Sequence, residues 1–284
     1  MFVLLISRKV GCIMTMRQHQ TDTKQYNTNQ KNTRDIMIYV TIFVVTFSLF
    51  YVPNIVMATH DGCGTHTRYN TEGLQTESGD RNGAEGILKI KNITPCGTTT
   101  NQSYGHHTVA MTMPSSDFIE AGIYKGYAQG FATGNNLHYV LIYDNEGGYS
   151  FRDLTSESSG TKKPNVNDQV KVTVFWDYYA WWLGKDFYKV IINNITQNHQ
   201  ITVSDIWSHG TGIDPLTQVE ILNQNTVVKS EAATLKDRTT TTWDAWTSSA
   251  GFDRPSSGNP LCFIKDASDK YRFGVDSGST CSTS

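Results

Sequence analysis

Gln169–Trp176 reads QVKVTVFW, with Val170, Val172, Val174 and Trp176 on one side and Lys171 and Thr173 on the other. An alternation of period two is what a half-buried β-strand requires, because successive side chains leave opposite faces of the pleat. The signature returns in Ala84–Ile93 (AEGILKIKNI), His107–Met113 (HTVAMTM), Leu137–Asp144 (LHYVLIYD), Phe187–Asn193 (FYKVIIN) and His199–Val203 (HQITV). Thr217–Asn223, Leu261–Lys265 and Tyr271–Val275 add further runs, with a weaker one around Ala232–Leu235. No segment sustains a helical period. About ten strands with frequent turns predict an all-β fold, an antiparallel two-sheet β-sandwich. From about residue 84 onward no linker composition interrupts the pattern, so one domain is expected.

What precedes that domain has a different character. Residues 1–35 are polar and rich in Gln, Asn and Thr, as a disordered leader would be. Ile36–Val52 (IMIYVTIFVVTFSLFYV) is then 17 residues without a charge, and Val56-Met57-Ala58 supplies small residues for signal-peptidase cleavage. Six Lys/Arg against Asp22 and Asp35 before this run keep the N-terminus cytoplasmic. Residues 36–58 therefore read as a signal peptide or an uncleaved signal anchor, and residues 59–284 as an exported β-sandwich domain, secreted or held at the cell surface. The exported part carries 18 Lys/Arg and 24 Asp/Glu, an acidic balance that argues against nucleic acid. Membrane contact is expected only through the N-terminal segment, and the domain is expected to be a monomer.

Cys12 lies before the apolar run, which leaves Cys63, Cys96, Cys262 and Cys281 for an oxidising compartment. Three pairings are possible; Cys63–Cys96 with Cys262–Cys281 is favoured because each closes a short loop. Sequons at Asn92, Asn101 and Asn194 place those asparagines at the surface, where a host that glycosylates would modify them.

Two strands carry a carboxylate among apolar neighbours. Asp117–Tyr127 (DFIEAGIYKGY) holds Glu120, and Thr217–Asn223 (TQVEILN) holds Glu220. Strand parity puts Glu220, Leu222 and Gln224 on one face. His106 and His107 are adjacent on a strand and so face opposite ways, which is why no metal is assigned; no cofactor is implied either. Tyr124 and the group Trp176, Trp181 and Trp182 are the aromatic candidates for substrate contact, since exposed rings can stack on sugars or grip a peptide.

Four features run in the order found in eqolisin-type glutamic peptidases. Phe118-Ile119-Glu120-Ala121-Gly122 resembles their apolar–apolar–Gln–x–Gly strand, and His138–Tyr143 resembles the aromatic strand that follows. Val166–Val174 resembles the turn into an alternating strand. Tyr188–Ile195 with Val219–Gln224 resembles the closing hairpin and its glutamate-bearing strand. The resemblance spans about residues 84–246. It implies a concanavalin-like jelly roll and a peptide hydrolase in which a glutamate activates water and a glutamine amide holds the oxyanion. Here Glu120 stands where that family has its glutamine. The implied catalytic set is thus either an exchanged Glu120/Gln224 pair or a Glu120/Glu220 dyad like that of the related neprosin-type peptidases. The resemblance favours a glutamic endopeptidase working on polypeptide at acidic pH. The alternative is a non-catalytic module that binds glycan or another extracellular polymer.

Overall fold

The computed structural model describes Cys63 and residues 67–284, apart from residues 78–80, 97–102, 114–116, 146–147, 158–159, 209, 211, 213, 256–257 and 279. The expected leader, the apolar run at 36–58, Cys12 and Asn101 lie outside the described residues.

The strands are, in chain order, β1 (Tyr69–Gln75), β2 (Gly83–Thr94), β3 (Ser103–Thr112), β4 (Phe118–Ala128), β5 (Phe131–Ala132), β6 (His138–Asn145) and β7 (Gly148–Asp153). After one helical turn, α1 (Leu154–Glu157), come β8 (Gln169–Ala180), β9 (Lys185–Asn194), β10 (His199–Ser208), β11 (Asp214–Ile221) and β12 (Val227–Thr239). The chain closes with β13 (Thr242–Ala245), β14 (Ser249–Arg254), β15 (Leu261–Ala267), β16 (Lys270–Asp276) and β17 (Cys281–Ser282).

These strands form two antiparallel sheets. The first runs β14-β1-β11-β3-β4-β6-β7, with β5 paired to β4; the second runs β10-β9-β8-β2-β12-β16-β15, with β13 and β17 attached to β12 and β16. The period-two pattern decides what meets between them. Val109, Met111, Ile119, Ala121, Ile123, Leu141, Val219 and Ile221 leave the first sheet inward. They meet Leu88, Ile90, Val170, Val172, Val174, Val190, Ala232 and Phe273 from the second. Each such side chain, fully buried, contributes about 1.5–3 kcal/mol if it is Val, Leu, Ile or Phe.

The two-sheet sandwich expected from the alternation is what forms, and its strands reach further than their sequence signals. Ala232–Leu235 expands into β12, and the stretch before Asp80 contains the regular strand β1. Disulfides join Cys63 to Cys96 and Cys262 to Cys281, the favoured pairing. Two such bonds belong to an oxidising environment. One surface expectation is corrected. Asn194 is fully buried, its amide donating to the Tyr139 hydroxyl at 2.9 Å and to Asp168 Oδ2 at 2.8 Å, whereas Asn92 is exposed.

The outer face of the first sheet is not a plain solvated surface. A second apolar cluster of Tyr104, Tyr124, Ala128, Val140, Ile142 and Phe151 covers part of it. Beside that cluster the sheet is the floor of an open groove.

Candidate active site

The groove encloses about 470 Å³ and draws its floor from β1, β11, β3 and β4, with Arg254 of β14 at the rim. Register determines which side chains meet. Gln218 lies opposite Glu72 on β1 and Thr108 on β3, while Glu220 lies opposite Asn70 and His106. On the other side of β3, Thr108 faces Gly122, Ala110 faces Glu120 and His106 faces Tyr124. All of these residues share the outer face, because directly paired residues in an antiparallel ladder point the same way.

Gly122 is required by the backbone alone. A Cβ there would come 2.0 Å from the His107 carbonyl oxygen and 2.8 Å from Thr108 Cα. Its lack of a side chain lets β4 approach β3 closely beside Thr108, within reach of Glu120. The glycine two residues after Glu120 thus has a steric cause.

Glu120 is 4% exposed, and both of its hydrogen bonds converge on one oxygen. Thr108 Oγ1 donates to Oε2 at 2.7 Å and the Gln218 amide donates to the same atom at 2.6 Å. The other oxygen, Oε1, receives no donor from the described residues. Burial pushes the Glu120 carboxyl above its ordinary range, and the hydrogen bonds from Thr108 and Gln218 and the distant Arg68 charge offset only part of that. A buried carboxylate with one saturated oxygen and one open oxygen is chemically a base held in place.

Glu220 is held differently. Tyr104 donates its hydroxyl to Oε1 at 2.7 Å, and Arg68 Nε stands 3.2 Å from the same atom. Burial again raises the carboxyl, against the attraction of His106 and Arg68, and Glu120 adds a smaller like-charge repulsion. A third buried acid, Glu72, is raised by burial and paired with Arg254 at 2.9 Å.

The structure therefore brings Glu120 and Glu220 to one groove, with β3 between them. It does not bring Gln224 there. β11 ends at Ile221, so parity with Glu220 no longer applies, and Gln224 sits in an exposed turn. The glutamine in contact with Glu120 is Gln218. The signal for it was present in TQVEILN: two residues before Glu220, Gln218 shares its face by the same parity.

Tyr124 is fully buried and donates to Asp153 Oδ2, away from the groove. Trp176, Trp181 and Trp182 belong to β8 and its turn in the second sheet, and none of them lines the groove. Trp176 packs against the core and donates to Asp186 at 2.7 Å, while Trp181 is 77% exposed and Trp182 64%. Arg68, Tyr104 and Thr108 are site residues that sequence reasoning did not single out, and it weighed His106 only as a metal ligand.

No protein-family model matches this chain, and no curated protein matches its sequence. Among solved structures, it is similar to scytalido-glutamic peptidase with a peptide-based transition state analog, with a TM-score of 0.51 at 7% identity, covering 74% of this chain and 98% of that one. It is similar also to scytalido-glutamic peptidase with a transition state analog inhibitor, with a TM-score of 0.50 at 8% identity and the same coverage. The likeness is one of fold, and it is the fold that the eqolisin resemblance implies.

Proposed function

We propose that this chain is an exported glutamic endopeptidase active in acidic surroundings, with Glu120 as general base and Gln218 as the amide that holds the oxyanion. One observation carries the reading. A buried carboxylate and a glutamine amide lie 2.6 Å apart on the floor of an open groove. The fold is one used by peptidases that bind peptide-like transition state analogs. Relative to the family pattern, the glutamate and the glutamine have exchanged strands.

The chemistry balances with these two residues. Glu120 Oε1 takes a proton from water as the water oxygen bonds to the scissile carbonyl carbon. The carbonyl π pair moves onto its oxygen, which an N–H of Gln218 holds. The C–N bond then breaks, its electron pair goes to the amine nitrogen, and Glu120 returns the proton there. Glu220 suits a supporting role better than that of dyad partner, because a whole strand separates it from Glu120 and, among the described residues, no amide contacts it as Gln218 contacts Glu120. The apolar run at 36–52 would take the domain across a membrane, as a cleaved signal or an anchor.

The test is proteolysis of denatured casein by the full chain from about pH 3 to about pH 7, beside Glu120→Gln. Cleavage that Glu120→Gln reduces by about 10³-fold without unfolding is the expected result. A folded, disulfide-bonded protein that cuts nothing in that range removes the peptidase reading and leaves a groove that only binds polymer.

A further inference from the structure

His106 is 1% exposed, and neither of its ring nitrogens has a hydrogen-bond partner among the described residues. A buried polar side chain left in that state has a cost of about 1–3 kcal/mol, so its surroundings must explain why it is there. They are specific. Nε2 stands 3.7 Å from Glu120 Oε2, the ring stacks on Tyr104 at 5.7 Å between centroids, and Glu220 is its direct cross-strand neighbour. Moving Nε2 or Oε2 by about 1 Å closes a charge-assisted hydrogen bond.

We propose that His106 and Glu120 share a single proton, which is held either on Nε2, facing Oε2, or on the Glu120 carboxyl, and which in the first state lets the imidazolium hold Glu120 as a carboxylate toward the groove. His106 is then a positioning residue that acts through Glu120. The groups facing the imidazole are few, and of the two carboxylates Glu220 also attracts its proton while Arg68 opposes it. From β4 come Glu120 and the neutral Tyr124, whose hydroxyl is committed to Asp153. From β11 comes Glu220, and Tyr104 and Thr108 flank the ring along β3 itself. Arg68, just before β1, is engaged by Glu220.

Charge counting points the same way. With one proton on the His106–Glu120 pair, the imidazole, the two carboxyls and the guanidinium sum to zero wherever that proton sits. With none they sum to −1, and with two to +1. In a buried site the neutral state holds over the widest pH range. Burial lowers the imidazole and raises the carboxyl, which draws the two groups together in proton affinity.

The test uses ¹⁵N-histidine NMR on the full chain, with the His106 signal identified by its loss in His106→Gln. His106 is expected to protonate together with Glu120 in the unaltered chain, and its midpoint is expected to fall by about one pH unit or more in Glu120→Gln. If that variant does not fold, the ¹³C-carboxyl resonance of Glu120 in the unaltered chain must titrate together with His106. An imidazole that stays neutral from about pH 3 to about pH 7, or a midpoint that Glu120→Gln leaves in place, overturns the pairing. The activity arm rests on the peptidase reading: in His106→Gln the acidic limb of kcat/KM moves up by about one pH unit while the plateau rate is kept. A uniform loss at every pH marks His106 as merely structural and overturns the positioning role. Coupled titration in a chain that cleaves no casein supports the pairing and removes the peptidase reading, so the two failures are distinguishable.

Discussion

The outer face of one sheet carries two buried carboxylates built from similar neighbours, and they come out opposite. Asp153 is surrounded by a histidine, a tyrosine and a serine, as Glu120 is by a histidine, a glutamine and a threonine. His138 Nδ1, Tyr124 OH and Ser156 Oγ all lie within 2.8 Å of Asp153 Oδ2. The amides of Thr155 and Ser156 add bonds of 3.1 Å to Oδ1. Both oxygens are saturated, and although burial opposes it, the hydrogen bonds led by His138 hold the carboxyl below its ordinary range. Glu120 receives two donors, both on one oxygen, and is raised. The difference lies in donor count rather than residue type. A buried carboxylate with a full set of donors is an anchor, and one with half a set retains a reactive oxygen.

Asp153→Asn should break the anchor. It replaces an acceptor of five donors by an amide that turns its own N–H groups toward some of them, at a cost of about 3 kcal/mol in urea unfolding. If stability is unchanged, donor count is the wrong criterion. Gln218→Leu comes next, because it removes the proposed oxyanion donor while sparing the fold. The expected loss is about 10²-fold in kcat/KM with under about 1 kcal/mol in stability.

The pH dependence sharpens the contrast, since the two groups have opposite signs. Glu120 binds its proton more tightly folded than unfolded, so its contribution is present below about pH 4.3 and is lost as pH rises through its native value. Glu120→Gln should accordingly gain on the unaltered chain as pH rises toward 7. Asp153 contributes above about pH 3.9 and loses that contribution as pH falls through its lowered native value. The penalty of Asp153→Asn should therefore shrink in acid. Thermal unfolding of the three chains across pH measures both trends, and parallel curves would contradict them. The smallest effect expected is that of Thr108→Val. It deletes one of the two Glu120 donors, raises that carboxyl further and costs about 1 kcal/mol.

Much of the fold was legible because strands such as β8 obey a strict alternation against a single core. β12 was legible only around Ala232–Leu235 for a local reason. Register shifts at Lys229/Ser230 and at Ala233/Lys236 interrupt its period, and Thr234 adopts a positive φ of 54°. The site was legible at Glu120 and Glu220, where a charge breaks an apolar run. It was not legible at Arg68, Tyr104 and His106, because their meaning comes from the lateral order β1-β11-β3-β4, which is non-local and leaves no mark in any one segment. The opposite facing of His106 and His107 was read correctly. His107 turns to the core, with Phe273 edge-on at 5.0 Å, yet that same parity is what delivers His106 to Glu120.

The position of β1 has a consequence for when the groove comes into being. Among the described residues it is the first strand in sequence, yet it is laid down between β11 and β14, with Asn70 opposite both Glu220 and Arg254. A chain made from its N-terminus displays Glu120 long before Gln218 exists to touch it, and the rim waits for Arg254. Nascent polypeptide therefore carries the parts of the site unassembled through most of its synthesis. The groove appears only when nearly the whole domain has emerged, so the order in which the strands arrive makes its assembly one of the last events of folding.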